Sequence, residues 1–322
     1  MIVGLDVGGA NTKFASSDGK WTHIEYLPLW KDAPLKDLLF RISQEIEPQS
    51  MNVVMTGELA DCFSDKKEGI EYIKKTVEGA FSCPVHFWGV NGFQWHDIRE
   101  LAAANWSASA VLLSEDIGDC IFVDMGSTTT DLIPIKKKPQ AALSDFQRLY
   151  RGELIYSGRL RTNLAALLPS VEVEGQKVAL SSELFAITAD VYRALGDISQ
   201  KEYRCDTPDG GGKDGRSSLI RLARTVCSDL EEIGETGALQ IAAHARGRQI
   251  DVLRRALINL IRKFDLDLVV AAGAGEDLIL QAAQGLNLNC LRLSDRYGKE
   301  VSEVFPAYAV AKLGEREQTS RD

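Results

Sequence analysis

The sequence predicts an α/β protein built from two related halves that address one phosphate-bearing ligand. Three stretches lead to that reading. In the first, residues 123–132, an apolar run passes through Asp124, Gly126, four hydroxyl residues (Ser127 to Thr130) and Asp131 into a second apolar run ending at Ile135. This is the pattern of a β-hairpin with Gly126 in or beside its turn. A copy of the same logic opens the chain: Ile2-Val3-Gly4-Leu5-Asp6-Val7-Gly8-Gly9-Ala10-Asn11-Thr12-Lys13-Phe14. The third stretch is a later apolar strand, residues 266–272, which runs into Gly273-Ala274-Gly275 and then a helix. One Gly-rich turn is a weak signal, whereas two Asp-X-Gly hairpins a domain length apart suggest a duplicated unit.

The residue types fit phosphate chemistry. A tight turn offers backbone N–H groups and short hydroxyls to an anion, and flanking carboxylates can hold Mg²⁺ against phosphate oxygens. Asp6, Asp124 and Asp131 are the candidate metal ligands. Gly8, Gly9, Asn11, Thr12 and Lys13 would cradle one end of a polyphosphate, with Lys13 offsetting charge. Gly126, Ser127, Thr128 and Thr129 would cradle the other. Gly273 and Gly275 would let a base or sugar approach the backbone.

Bulk properties narrow the class. A chain of 322 residues can bury a sizeable core and suggests two domains. The formal net charge of -9 gives no broad basic field, so neither nucleic acid nor an anionic membrane surface is an expected partner. Six scattered cysteines without a CxxC read as thiols in a reducing compartment. No apolar run reaches the roughly 20 residues that span a bilayer, and the first residues show no signal-peptide pattern, so a cytoplasmic location is expected.

In chain order, residues 22–26 follow a polar turn as a strand, and 35–46 carry apolar residues at helical spacing. Residues 51–56 are a short buried strand that stops at Thr56-Gly57-Glu58, the kind of strand-to-loop edge where α/β proteins place ligands. A helix N-terminus capped by Thr56 is the competing reading there. A helix over 69–81, a strand over 84–88 and one Ala-rich helix over 97–113 complete the first half. After the central hairpin, Lys136-Lys137-Lys138-Pro139 reads as a solvated tip. Arg159 and Arg161 follow Gly158 in a loop, and Arg161 is the better candidate for forking onto an anion. One strand is expected over 171–179 and a helix over 181–195 with Ser181 or Ser182 as its cap. Residues 205–214 hold acids, Pro, three Gly and Lys213, which no regular element tolerates. They read as a flexible loop or as a lid bringing Lys213 to phosphate. Long helices over 218–233 and 236–263, a strand over 286–293, a helix over 306–313 and a frayed polar tail from Glu315 close the chain.

The order of hairpin, hairpin and Gly-X-Gly loop resembles the actin, sugar-kinase and Hsp70 ATPase superfamily. That resemblance implies two ribonuclease H-like domains around a central cleft, residues 1–118 and 119–304, with the helix near 305–322 packing back on the first. It also implies phosphate loops at Asp6 and Asp124 and an adenosine-type loop at Gly273. More narrowly, GLDVGGANTK, MTGELADCF, VDMGSTTTDL, YSGRLRT and DTPDGGGKD resemble the hydantoinase A/oxoprolinase-related branch, and within it small proteins of tetrahydromethanopterin-linked one-carbon metabolism. The resemblance implies a transferase that joins an aminomethylfuran methyl diphosphate to the phenol oxygen of a glutamylated tyramine, with Mg²⁺ and loss of pyrophosphate. Asp131 or Glu58 would then take the phenol proton, and Asp124 would act beside them. An ATP-dependent small-molecule kinase and a non-catalytic actin-like module are the other readings. Small-molecule diphosphate and phenol or amine substrates are the expected partners, ATP is the alternative cofactor, and a homodimer is compatible with the chain.

Overall fold

The computed structural model describes every residue except 32, 321 and 322. Its first sheet is built from β1 (Ile2–Gly8), β2 (Asn11–Ser16), β3 (Thr22–Tyr26), β4 (Ser50–Thr56) and β5 (Val85–Phe87), with helices α1 (Leu35–Ile46), α2 (Lys66–Ala80) and α3 (Asn105–Asp116) in the connections. The strand order is β3-β2-β1-β4-β5. β1 and β4 lie centrally and read as near-continuous apolar runs because both of their faces are covered. β1 is antiparallel to β2, with Asp6 opposite Lys13, and parallel to β4, with Gly8 opposite Thr56. The turn after β1 and the end of β4 therefore share one edge of the sheet.

The second sheet begins with β6 (Cys120–Met125), β7 (Thr130–Lys136) and β8 (Lys138–Pro139). Then follow α4 (Asp145–Arg151), β9 (Leu154–Ile155), α5 (Leu164–Leu167), the hairpin of β10 (Ser170–Val173) and β11 (Gln176–Ala179), α6 (Thr188–Ala194), α7 (Gly215–Arg224) and α8 (Gly234–Phe264). β12 (Leu268–Ala272), α9 (Glu276–Gln284), β13 (Asn289–Arg292), α10 (Leu293–Tyr297), α11 (Lys299–Glu303) and α12 (Phe305–Thr319) complete the chain. The order is β13-β12-β6-β7-β8, with β9 pairing β7. With β9 to β11 set aside, each sheet places its third, second, first, fourth and fifth strands side by side. This repeated order is the ribonuclease H-like arrangement, and it follows the repeat of the Asp-Gly hairpin in the sequence.

The chain divides into two compact units. The first comprises Met1–Phe122, Ile133–Glu153 and Leu291–Asp322, and the second comprises Val123–Leu132 and Leu154–Cys290. In the first, α12 lies directly on β1: a Cβ on Gly4 would fall 1.8 Å from the Ala307 carbonyl oxygen.

Local structure departs from the periodicity reading in several places. Residues 97–113 are not one helix. A 3₁₀ turn, Ile98–Leu101, ends at Ala102 and α3 starts at Asn105, with Ala103 between them at φ 48°. Residues 171–179 form a two-stranded hairpin turned at Glu174-Gly175, not one strand. The helix expected from Ser181 starts only at Thr188, and the Asp190 carboxylate accepts from the Ile187 N–H to cap it. Residues 225–233 leave the helix expected over 218–233 at Thr225. The tail from Glu315 is helical to Thr319, because Glu315 accepts from the Ser17 hydroxyl and Arg316 pairs with Asp116 at 2.7 Å. Residues 321 and 322 of that tail lie outside the described chain.

Gly4→Ala should destabilise the protein by about 3 kcal/mol or more, because the added methyl meets a helix backbone that cannot yield. Equilibrium denaturation of the variant beside the wild type reads this directly.

Candidate active site

In the first unit the candidate residues gather at one edge of the first sheet. Gly8, Gly9 and Ala10 form the turn between β1 and β2, and a Cβ on Gly8 would press on the Asn11 carbonyl at 2.7 Å. Gly57, the residue after β4, lies against this turn: its Cβ position is 3.1 Å from the Gly8 backbone, and its N–H donates to the Val7 carbonyl at 2.9 Å. Asp6 and Thr12 are buried, and Asn11 and Lys13 are half-buried on β2.

Glu58 comes next, and it is not at a helix start. α2 begins eight residues later at Lys66, with Asp65 as its cap accepting from the Glu68 N–H at 2.9 Å. The competing reading of Thr56 as a helix cap is therefore overturned. Glu58 is only 2 % exposed, because α2 packs on its backbone: a Cβ on Gly69 would lie 2.0 Å from the Glu58 carbonyl oxygen. Its Oε2 has no hydrogen-bond partner among the described residues. Burial raises its pKa to about 7, opposed by its own backbone N–H, by the Lys66 ammonium and by the Ala103 N–H, and reinforced by Asp145. A carboxyl group poised near neutrality suits proton transfer. Asp61 is exposed in the following turn, consistent with a surface acid.

In the second unit the turn after β6 is held by a segment laid across it. The N–H groups of Arg159, Leu160 and Arg161 donate to the carbonyls of Gly126 and Ser127 at 2.9 to 3.0 Å. Gly158 makes this possible, since a Cβ there would lie 2.5 Å from the Thr128 nitrogen. Gln249 of α8 braces the segment through Ser157 Oγ at 2.7 Å and the Gly158 carbonyl at 3.0 Å, and accepts from Tyr192 Oη. The Gly126 and Ser127 carbonyls are thus tied down. The Arg161 guanidinium donates to Thr128 Oγ1 at 3.0 Å, which places a cation beside the hydroxyls of Ser127 and Thr128.

The Gly273-Ala274-Gly275 loop packs on the end of β6 that leads into the same turn. Gly273 has φ +85°, and a Cβ there would lie 2.3 Å from Asp124 Oδ1. A Cβ on Gly275 would lie 2.2 Å from the Met125 sulfur, and its N–H donates to the Met125 carbonyl at 3.1 Å. These glycines are needed for the loop to seat against Asp124 and Met125, a packing reason that the sequence alone does not disclose. Asp124 is buried, while Asp131 is half-buried on β7 opposite Leu154.

Arg159, passed over in favour of Arg161, is the residue that sequence reasoning missed. It is 3 % exposed, its guanidinium stacks 3.7 Å from the Tyr192 ring centroid, and it pairs with Asp277 at 3.1 Å. It therefore links the turn at Gly126 to the first turn of α9. The loop at 205–214 is fastened rather than free. Buried Arg221 holds Asp190 at 2.7 Å, Asp209 at 3.1 Å and the Gly212 carbonyl at 2.9 Å. Within it Lys213 lies over the Tyr203 ring and, like Arg161, is close enough to Cys205 to act on its thiol. The flexible-loop reading is corrected accordingly.

Among the described residues no group of three or more acidic, His or Cys side chains gathers as a metal cage. Mg²⁺ needs no such cage, since it commonly takes one or two carboxylates with phosphate oxygens and water. Asp6 is a buried carboxylate of the first unit and Asp124 a buried carboxylate of the second.

The Hydantoinase/oxoprolinase family matches residues 50–317. The chain belongs to the hydantoinase/oxoprolinase family. A protein from Methanocaldococcus jannaschii, named (4-{4-[2-(gamma-L-glutamylamino)ethyl]phenoxymethyl}furan-2-yl)methanamine synthase, is 41% identical over 97% of both chains. A protein of the same name from Methanococcus vannielii is 37% identical over 66% of this chain and 98% of its own. Among solved structures, a ROK family glucokinase from Streptomyces griseus in complex with glucose and AMPPNP superposes with a TM-score of 0.51 at 13% identity, covering 98% of this chain and 99% of its own. That likeness shows the fold alone. Among the described residues no helix is long and apolar enough to cross a membrane.

For this hydantoinase/oxoprolinase-family protein, Glu58 gives a pH signature. Its carboxyl pKa is raised from 4.5 unfolded to about 7 folded, so its protonated form is the stable one in the fold. Below pH 4.5 its contribution is fully present. As pH rises from 4.5 through 7 it is lost, at a cost of roughly 3 kcal/mol. Glu58→Gln should abolish this loss, so the variant gains on the wild type as pH rises through that window and stays ahead at pH 8. Urea denaturation of both proteins across the window measures the difference.

Proposed function

We propose that the protein is a transferase of the tetrahydromethanopterin- and methanofuran-linked cofactor pathway. It joins an aminomethylfuran methyl diphosphate to the phenol oxygen of glutamylated tyramine and releases pyrophosphate. The observation that carries this is 41% identity over 97% of both chains with a synthase named for the ether product.

The residues have tasks that suit the reaction. In the second unit the Gly126–Thr129 turn, with the Gly126 and Ser127 carbonyls occupied, presents the Ser127 and Thr128 hydroxyls to the diphosphate, and Arg161 and Lys213 supply positive charge. In the first unit Gly8, Gly9, Asn11, Thr12 and Lys13 form the corresponding phosphate turn. In the second unit Asp124 and Asp131 would hold Mg²⁺, directly or through water, and the ion would neutralise charge on the leaving diphosphate; Asp6 is the corresponding carboxylate of the first unit. Glu58 takes the phenol proton as the phenol oxygen bonds to the methylene carbon. The bond from that carbon to the diphosphate oxygen breaks, and the diphosphate leaves with the bonding pair. The furan ring releases electrons toward the carbon and eases departure. One proton passes from phenol to Glu58 and on to water, so the reaction closes without an oxidant, reductant or nucleotide.

Purified protein given Mg²⁺, the furan diphosphate and glutamylated tyramine should release pyrophosphate and the ether in equal amounts, read by mass spectrometry and a pyrophosphate assay. Stoichiometric conversion of ATP to ADP, without pyrophosphate, would overturn the reading in favour of a kinase. Glu58→Gln should lower kcat by about 10² to 10⁴-fold, the usual worth of a general base. Asp124→Asn should weaken the Mg²⁺ dependence of the rate, seen as a rise in the Mg²⁺ concentration for half-maximal activity.

A further inference from the structure

A cavity of about 720 Å³ lies in the first unit, lined by the start of α2, the 3₁₀ turn and the residues before α4. Its wall is apolar at Ile98, Ala102, Ala103 and Leu143, and charges of both signs stand at it: Lys66, Lys67 and Arg99 against Asp65, Asp97 and Asp145. This volume is in the range of ordinary small-molecule sites.

Three features set the cavity apart from a chance hollow. Lys66 is a half-buried cation in the first turn of α2, where the helix dipole favours an anion. No salt bridge to Lys66 is present among the described residues, whereas Lys67 pairs with Glu71 at 3.7 Å and Arg99 with Asp97 at 2.5 Å. Asp145 is fixed in place, because it pairs at 3.0 Å with Arg148, which is 1 % exposed and stacks 4.9 Å from the Trp106 ring centroid. The third feature is the link to chemistry. Ala103, held at φ 48°, lines the cavity, and its N–H acts on the buried Glu58 carboxyl, as do Lys66 and Asp145 from the rim. The cavity and Glu58 are thus neighbours that share three residues.

We propose that this cavity is the acceptor site and that it recognises the α-amino-acid head group of the acceptor. Lys66 takes the carboxylate, Asp145 takes the ammonium, and the apolar wall at Ile98, Ala103 and Leu143 takes the ring and its linker, leading the phenol oxygen toward Glu58. A zwitterion matches a rim that carries both signs, whereas a simple amine or a simple carboxylate would leave one sign unanswered. The inference rests on the transferase reading for the identity of the acceptor, but its test separates the two.

Binding of γ-glutamyl-tyramine and of tyramine to the full-length protein, without the diphosphate, is measured by titration calorimetry for the wild type, Lys66→Met and Lys66→Arg. The wild type should bind the glutamylated compound at least tenfold more tightly than tyramine. Lys66→Met should lose roughly tenfold or more of that affinity, the worth of one charge-assisted hydrogen bond, and Lys66→Arg should recover most of it. Thermal melting checks the fold, and Lys66→Met should melt no lower than the wild type because it removes a cation from a helix start. With both variants folded, equal affinity of wild type and Lys66→Met for γ-glutamyl-tyramine overturns the acceptor site. Absence of ether formation by a wild type that still shows the Lys66-dependent binding overturns the transferase reading and leaves the zwitterion site standing.

Discussion

Backbone packed directly on backbone at the two Asp-Gly turns is the constraint on which the rest depends. In the first unit, Gly57 lies on Gly8, and Gly69 lies on Glu58. In the second, Gly158 lies on Ser127 and Thr128, and Gly273 lies on Asp124. Three of these four approaches are too close for a Cβ, and that of Gly57 to Gly8, at 3.1 Å, is tight, so in both units a distant segment is pressed onto the turn and fixes it. A turn fixed in this way presents its donors without having to order them when an anion arrives, and pre-ordering is where much of the cost of binding usually lies.

Polar groups are buried around these contacts, and they divide into two kinds. The Asp190–Arg221 pair is satisfied on several sides, by Tyr203, Ser218, Asp209 and the Gly212 carbonyl, and it holds a glycine-rich loop that could not hold itself. Such a network specifies a conformation. Glu58 is different. It is buried with one oxygen unpartnered and is made to carry a raised pKa, a local cost that packing alone does not require. Local rules broken without compensation concentrate at functional positions, and Glu58 and Ala103, distant in sequence but neighbours in the first unit, break two.

Much of the fold was legible because it rests on period and repetition. The two hairpins were readable from Asp, Gly and hydroxyls between apolar runs. Helix α1 and the central strands followed from apolar spacing that burial demands. The errors fall where a local signal competes with a distant one. The Ala-rich run at 97–113 has helical propensity throughout, yet the chain breaks at Ala103, beside Glu58. Ser181 resembles a helix cap, but its hydroxyl accepts from the nearby Glu183 N–H in a turn, and the helix waits for Asp190. The tail from Glu315 is polar and would fray alone, but Ser17 and Asp116 hold it.

The sequence by itself determined the family, the doubled Asp-Gly hairpin and the residue types at each turn, because these are properties of short stretches. Tertiary structure alone decided which arginine meets the turn with its side chain and which is buried beneath it. It also decided why Gly273 and Gly275 must be glycine, and that Glu58 lies in an apolar setting that lifts its carboxyl toward neutrality. Each of these depends on segments far apart in the chain, Gly273 on Asp124 and Glu58 on Gly69 and Ala103, and no spacing within one segment encodes what another will press against it.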